Sequence, residues 1–180
     1  NIRGLLKGAL RSDSEFNEFF VLDSEEGRVL VSTERENEGK IYRSRQFFKE
    51  GLHGTFTDKV QMLPGDTKPT VYSSVTITSF AGLPIGILVG RHDLTSVSRL
   101  MEEVSVLGDS GDTYLFNENF LFITEPRRIP GAMMRQAVIT DGTRRALKEG
   151  TGSGIYAGFK NQEMLGSFVF LKNLGMGLIA

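Results

Sequence analysis

A pattern written twice is the strongest constraint in this chain. Phe19-Phe20-Val21-Leu22 and Val29-Leu30-Val31 are apolar β-type runs on either side of Asp23-Ser24-Glu25-Glu26-Gly27, a turn in which Gly27 can take positive φ. From Thr113 to Thr124 the same grammar returns: Tyr114-Leu115-Phe116, a turn at Asn117-Glu118-Asn119, then Phe120-Leu121-Phe122-Ile123. Each hairpin is followed by a helical stretch and then by strands ending in a glycine-punctuated apolar run. That run is Pro84-Ile85-Gly86-Ile87-Leu88 in the first half and Leu174-Gly175-Met176-Gly177-Leu178 in the second. Self-similarity at an offset of roughly ninety to a hundred residues means one supersecondary unit used twice. The expected fold class is therefore α+β, with two similar modules in tandem.

Local patterns fill in this frame. Ile2, Leu5, Leu6, Ala9 and Leu10 form a helical stripe, read as the tail of a longer helix and broken or capped at Ser12-Asp13-Ser14. The charged stretch 34–40 is loop. Ile41, Arg45, Phe48 and Leu52 recur at helical spacing and predict a short helix over 41–52, ended by Gly51 or Gly54. Strands are expected over 55–62, 71–80 and 85–89, with turns at Pro64-Gly65-Asp66 and Ala81-Gly82-Leu83-Pro84. Asp93-Leu94-Thr95 opens a helix whose apolar face is Leu94, Val97, Leu100, Met101 and Val104, bridging the modules as far as 107. Beyond the second hairpin, 126–131 reads as loop, 133–139 and 143–147 as helical pieces, and 150–154 as a flexible connector. Strands are expected at 164–171 and from 177 on.

Composition removes several function classes. Net charge is −1, which supplies no general attraction to nucleic acid or anionic lipid. No apolar run is long enough to cross a bilayer, and there is no cysteine for a disulfide or thiolate metal site. His53 and His92 are the only histidines, and they fit neither His-Glu-x-x-His nor a metal-pair spacing. Gly152-Ser153-Gly154 is no nucleophile elbow, and 150–158 lacks the Gly-Lys-Ser/Thr ending of a phosphate loop. Arg127-Arg128 and Arg144-Arg145 read as solvated pairs. A non-catalytic domain without cofactor or metal is expected. Asn1 is not a natural start and Ala180 falls inside an apolar run, so both ends are expected to continue into a longer protein.

Tyr42-Arg43-Ser44-Arg45-Gln46-Phe47-Phe48 sets cations beside aromatic rings between strand-like runs. A partly buried Arg needs an anion, so the stretch suits a pocket for a small carboxylate. An amphipathic helix with core Phe47 and Phe48 and a solvated Arg45 near Glu50 satisfies the same pattern. Asp93 is open in the same way, as acceptor for a ligand ammonium or as N-cap of the following helix.

The order of these pieces resembles the extracytoplasmic double-Cache sensor domain of bacterial and archaeal transmembrane receptors, most often histidine kinases. The residues that carry the likeness are the hairpin turn at Asp23 to Gly27 and Arg45-Gln46-Phe47-Phe48. With them go the 85–94 run ending in Asp93-Leu94, Gly108-Asp109-Ser110-Gly111-Asp112-Thr113-Tyr114-Leu115, and the closing glycine-rich strand. The resemblance implies tandem PAS-like modules, each an antiparallel sheet with flanking helices, behind a long N-terminal helix. Its divisions would be 1–18 (helix tail and linker), 19–94 (membrane-distal module), 95–107 (bridging helix) and 108–180 (membrane-proximal module).

It further implies a ligand pocket in the distal module, in which Arg45 takes a carboxylate and Asp93 an amino group, with His92 in that place if the alignment slips by one. Phe47 and Phe48 stand where amino-acid-binding members commonly have Trp-Tyr, and Tyr42 and Tyr72 would be walls. Phe47 and Phe48 offer no ring N–H or hydroxyl, which favours a more apolar organic acid over an amino acid. The partners implied are that small molecule, the membrane through transmembrane helices on each side, and a second copy in a homodimer. The alternatives are a cytosolic PAS-like dimerisation module without ligand, or the sensor of a chemotaxis receptor or diguanylate cyclase.

Overall fold

Alternating apolar residues build the first sheet. The computed structural model describes residues 1–13, 15–63, 66–102, 108, 111–158 and 162–180. Ser14, Pro64-Gly65, Val104 with the rest of the bridge to 107, and Asp109-Ser110 therefore lie outside the described residues. The chain packs as a first unit, Asn1–Asp58 with Thr70–Asp93, and a second, Lys59–Pro69 with Leu94–Ala180. Both are α+β with antiparallel sheets, as the repeat predicts.

In the first unit α1 (Ile2–Ser12) begins at Asn1, whose side chain caps the Gly4 amide. Then come β1 (Glu18–Asp23), β2 (Val29–Ser32), α2 (Gln46–Gly51), β3 (Phe56–Thr57), β4 (Thr70–Thr78) and β5 (Pro84–Asp93), in the sheet order β2-β1-β5-β4-β3. The β1–β2 turn is knotted by Asp23, whose carboxylate accepts from the backbone N–H groups of Glu25, Glu26, Gly27 and Arg28 at 2.6–3.2 Å. Gly27 sits at φ 67° under the Phe48 ring, where no side chain fits.

Registers lay three rungs across one face: Glu18–Arg91–Tyr72, Phe20–Val89–Ser74 and Leu22–Ile87–Thr76. α2 closes over these rungs. Gly51 makes this approach possible, since a Cβ there would meet Ser74 Oγ at 2.7 Å and Ile87 Cγ2 at 3.0 Å.

The helix predicted over 41–52 is shorter than its periodicity. Ile41 forms an isolated bridge with Arg28, and the Tyr42 N–H donates to Gly27 O at 2.8 Å. Residues 41 and 42 thus pair with the hairpin turn, and Arg45 is itself extended at ψ 146°, so the helix can begin only at Gln46. The strand expected over 55–62 contracts to Phe56–Thr57. Beyond it the chain leaves the sheet, and the Val60 N–H bonds Leu174 O within the second unit.

The second unit contains α3 (Thr95–Glu102), β6 (Tyr114–Asn117), α4 (Asp141–Glu149), β7 (Thr151–Ala157), β8 (Glu163–Leu171) and β9 (Met176–Ile179), with sheet order β6-β9-β8-β7. Thr140 and Thr143 form a reciprocal cap at the start of α4. Phe116, Phe122, Val138, Ala146, Phe168 and Ile179 lie in the core.

Three local expectations fail here. The return of the second hairpin shrinks to a bridge: Phe116 pairs with Phe122 and Ile123 N–H donates to Leu115 O at 2.8 Å, while Asn117 Oδ1 takes the Asn119 and Leu121 amides and Phe120 turns the chain at φ 62°. The helix expected over 133–139 is absent because those amides and carbonyls are used by the neighbouring segment. Met134 N–H donates to Phe122 O, Phe122 N–H to Gln136 O, and Val138 N–H to Phe120 O, at 2.7–3.2 Å. The connector at 150–154 is the start of β7, paired to β8 from Thr151↔Val169 onward. Its glycines admit the Phe168 ring, which a Cβ at Gly152 would meet at 2.6 Å.

Candidate functional site

The predicted residues fall on one face of the first sheet and on the segment that covers it. Phe47 is fully buried. Its ring stacks on Tyr72 with centroids 4.8 Å apart, and it meets Tyr42 edge-on at 5.5 Å and Phe20 at 6.3 Å. Tyr42, Phe47 and Tyr72 are therefore brought together. Phe48 turns away from them and packs beneath the β1–β2 turn at Gly27.

Arg45 is half-buried and occupies the cap position before α2. Its backbone is anchored: its N–H donates to Tyr42 O at 2.9 Å, and its carbonyl accepts from Phe48 and Lys49. Its guanidinium makes no ion pair or side-chain hydrogen bond among the described residues. A fixed backbone with an uncommitted guanidinium can serve as an anion clamp.

Asp93 is the last residue of β5, opposite Thr70 and two positions along from Arg91, so it shares the face that carries Tyr72. Its N–H donates to Asn17 Oδ1 at 2.6 Å. The helix after it starts at Thr95, and Ser98 N–H bonds Leu94 O, so Leu94 and not Asp93 holds the cap position. His92, one residue back, faces the other way. It stacks on Phe16 at 4.6 Å, and burial holds its pKa below the usual histidine value against the pull of Glu15 and Asp13.

A charged group missed in the sequence stands next to this cluster. Glu18 is 2% exposed and accepts from Ser32 Oγ at 2.6 Å and Asn37 Nδ2 at 2.7 Å, while Arg91 Nε lies 3.2 Å from its other oxygen. Strand parity carries the missing signal. Glu18 shares phase with Phe20 and Leu22, and Arg91 with Ile87 and Val89, so both charges had to point into the covered face.

A second feature also escaped the sequence reading. The second unit contains a cavity of ≈ 120 Å³ beneath the segment from Phe122 to Thr140. Tyr114, Phe122, Val138, Tyr156 and Ile179 are among its walls, and Asp112 and Arg128 also border it. Burial pushes the phenols of Tyr114 and Tyr156 up from their ordinary pKa, so both are neutral donors at physiological pH. The Tyr114 hydroxyl is engaged by Thr140. No motif announces this cavity, because its walls come from positions spread between 112 and 180.

Two α+β units, each with its own antiparallel sheet, behind an N-terminal helix, make up the fold of extracellular sensor domains of histidine kinases and chemoreceptors. The chain superposes on the extracellular domain of rpHK1S-Z16, a protein described as a histidine kinase, with TM-score 0.70 and 12% identity, over 99% of this chain and 75% of that one. For the ligand-binding domain of the Pseudomonas aeruginosa amino-acid chemoreceptor PctC, in complex with GABA, the TM-score is 0.67 at 15% identity, over 100% and 80%. For the sensor domain of the V. cholerae histidine kinase DctB it is 0.65 at 10% identity, over 98% and 75%. No family model matches the chain, and no curated protein matches it. At these identities the likeness is one of fold.

Proposed function

We propose that this chain is the extracytoplasmic small-molecule-sensing domain of a transmembrane signalling receptor, most simply a two-component histidine kinase. The observation that carries the reading is a sensor-domain fold matched over 98% or more of the chain by receptors of this kind. The domain binds its ligand and performs no chemistry on it. No described helix is long and apolar enough to cross a membrane, and anchoring belongs to segments on either side. Ile2 and Leu5 of α1 are 61% and 74% exposed, which supports a homodimer formed along that helix in the receptor.

The ligand is a small organic acid held by the first unit. Arg45 takes the carboxylate, Tyr42 and Tyr72 bound the site, Phe47 is its floor, and Asp93 receives a donor at the other end. The uncommitted guanidinium of Arg45 supports this assignment. The ligand acts by population shift, and moves the balance of receptor states only by its difference in affinity between them.

Thermal-shift titration with GABA, succinate and isovalerate tests the assignment, because a ligand that binds the folded state must raise Tm. At one hundred times Kd the stabilisation is about 2.7 kcal/mol. The effective acid is expected to lose its shift in Arg45→Ala and to keep part of it in Arg45→Lys. A shift unchanged in Arg45→Ala removes the clamp from the proposal.

A further inference from the structure

We propose that the cavity of the second unit is a second binding site, for an uncharged, mostly apolar molecule of about the size of a benzene ring that carries one hydrogen-bonding group. Size is the first argument. The ≈ 120 Å³ of space is close to the roughly 150 Å³ of an engineered apolar cavity that takes up benzene. The walls are the second. Phe122, Val138 and Ile179 are core side chains, so a bound molecule exchanges water for hydrocarbon and aromatic surface.

The third argument is an unanswered polar atom. Tyr156 is only 9% exposed and lines the cavity, yet its hydroxyl has no hydrogen-bond partner among the described residues. A hydroxyl at a cavity wall is answered by water or by the molecule that displaces it. Tyr114 differs, because Thr140 already engages it. Thr140 in turn is bound to the Thr143 amide as the cap of α4.

Charge selects against ions. Among the described residues the buried walls carry no ionised group. Among the described residues the charged side chains on the cavity are Asp112 and Arg128, of opposite sign, and one Asp112 oxygen already accepts the Arg127 amide at 3.3 Å. A carboxylate or ammonium moved inside would leave water without a buried counter-charge, which is strongly unfavourable.

Calorimetric and thermal-shift titrations of the whole chain with phenol, toluene, benzoate and benzylamine test the proposal. Phenol is expected to bind and raise Tm, toluene to bind more weakly, and benzoate and benzylammonium to bind at least about tenfold more weakly than phenol. Tyr156→Phe keeps the ring and is expected to weaken phenol by about three- to tenfold, one neutral hydrogen bond, while leaving toluene unchanged. Ile129→Phe, which adds bulk at the cavity wall, is expected to abolish both, with the Tm of each variant without probe reporting its folding. The site is refuted if phenol does not bind, if benzoate binds as well as phenol, or if phenol affinity is unchanged in Tyr156→Phe. The proposal is independent of the carboxylate site: Arg45→Ala leaves phenol binding intact, and failure of either site leaves the other standing.

Discussion

Replacing Glu18 with glutamine keeps the shape of a buried side chain and removes its charge. In the first sheet Glu18 accepts from Ser32 Oγ and Asn37 Nδ2 on one oxygen and faces Arg91 Nε with the other. Glutamine retains one acceptor and turns an NH2 toward a donor. Hydrogen bonds to a charged group contribute about 1.5–3 kcal/mol each, and opposed donors add a desolvation term. Against this, Arg91 is 28% exposed, so its stranded charge is partly solvated and the full cost of breaking a buried pair does not apply.

The net expectation is a loss of about 2–4 kcal/mol in the first unit. Urea unfolding followed by circular dichroism would read this as a midpoint lowered by roughly 1–2 M at an ordinary m-value. Faster amide exchange in β1 and β5 would localise it. Glu18→Leu with Arg91→Met replaces both charges by hydrocarbon and is expected to be much milder than the sum of its parts, with a coupling energy of about 2 kcal/mol. A Glu18→Gln loss below about 1 kcal/mol, or strictly additive single changes, would refute the network as described.

The turn behind that sheet makes its own predictions. Burial opposes ionisation of Asp23, but the amides of Glu26, Glu25, Arg28 and Gly27 outweigh it and hold the carboxylate below its ordinary pKa. A lowered folded pKa contributes stability above the unfolded value near 3.9 and loses it as pH falls through the folded value. Asp23→Asn is therefore expected to destabilise by about 1–2 kcal/mol at pH 7, and the difference from the parent should shrink toward pH 3 in an acid series of urea melts. Gly27→Ala forces a Cβ to within 2.9 Å of the Phe48 ring and 3.0 Å of the Arg43 amide at positive φ. A loss of roughly 1–3 kcal/mol is expected by the same melts, with weaker acid binding at Arg45, because the turn fixes the segment that carries it.

The tandem repeat was legible because strand–turn–strand is local, and Asp23 to Gly27 states its turn chemistry openly. The paired strands β4 and β5 were legible from β-branched runs. What stayed hidden were places where the backbone found partners far along the chain. Ile41 and Tyr42 pair with the hairpin at Arg28 and Gly27 instead of entering a helix. Residues 134–138 bonded to 120–122 despite a helical spacing of apolar side chains. Glycines made β7 look like a linker, since the signal of that strand lies in the Phe168 ring that covers it. In the candidate site, Arg45 and the aromatic residues could be picked out by type. Glu18 and Arg91 required strand parity, and the cavity around Tyr156 required the fold itself.

The order β6-β9-β8-β7 has a consequence for synthesis. Tyr114 pairs with Ile179 and Asn117 with Met176, so β6 has no strand of its sheet beside it until β9 has been made, only the bridge from Phe116 to Phe122. A ribosome adding about 5–20 residues per second leaves β6 waiting for several seconds. The β7–β8 hairpin can form in that interval, but the β9 backbone at Gly177, against which the Phe116 ring packs, is not yet there. The second unit is therefore completed only when its last strand inserts between two that are already made.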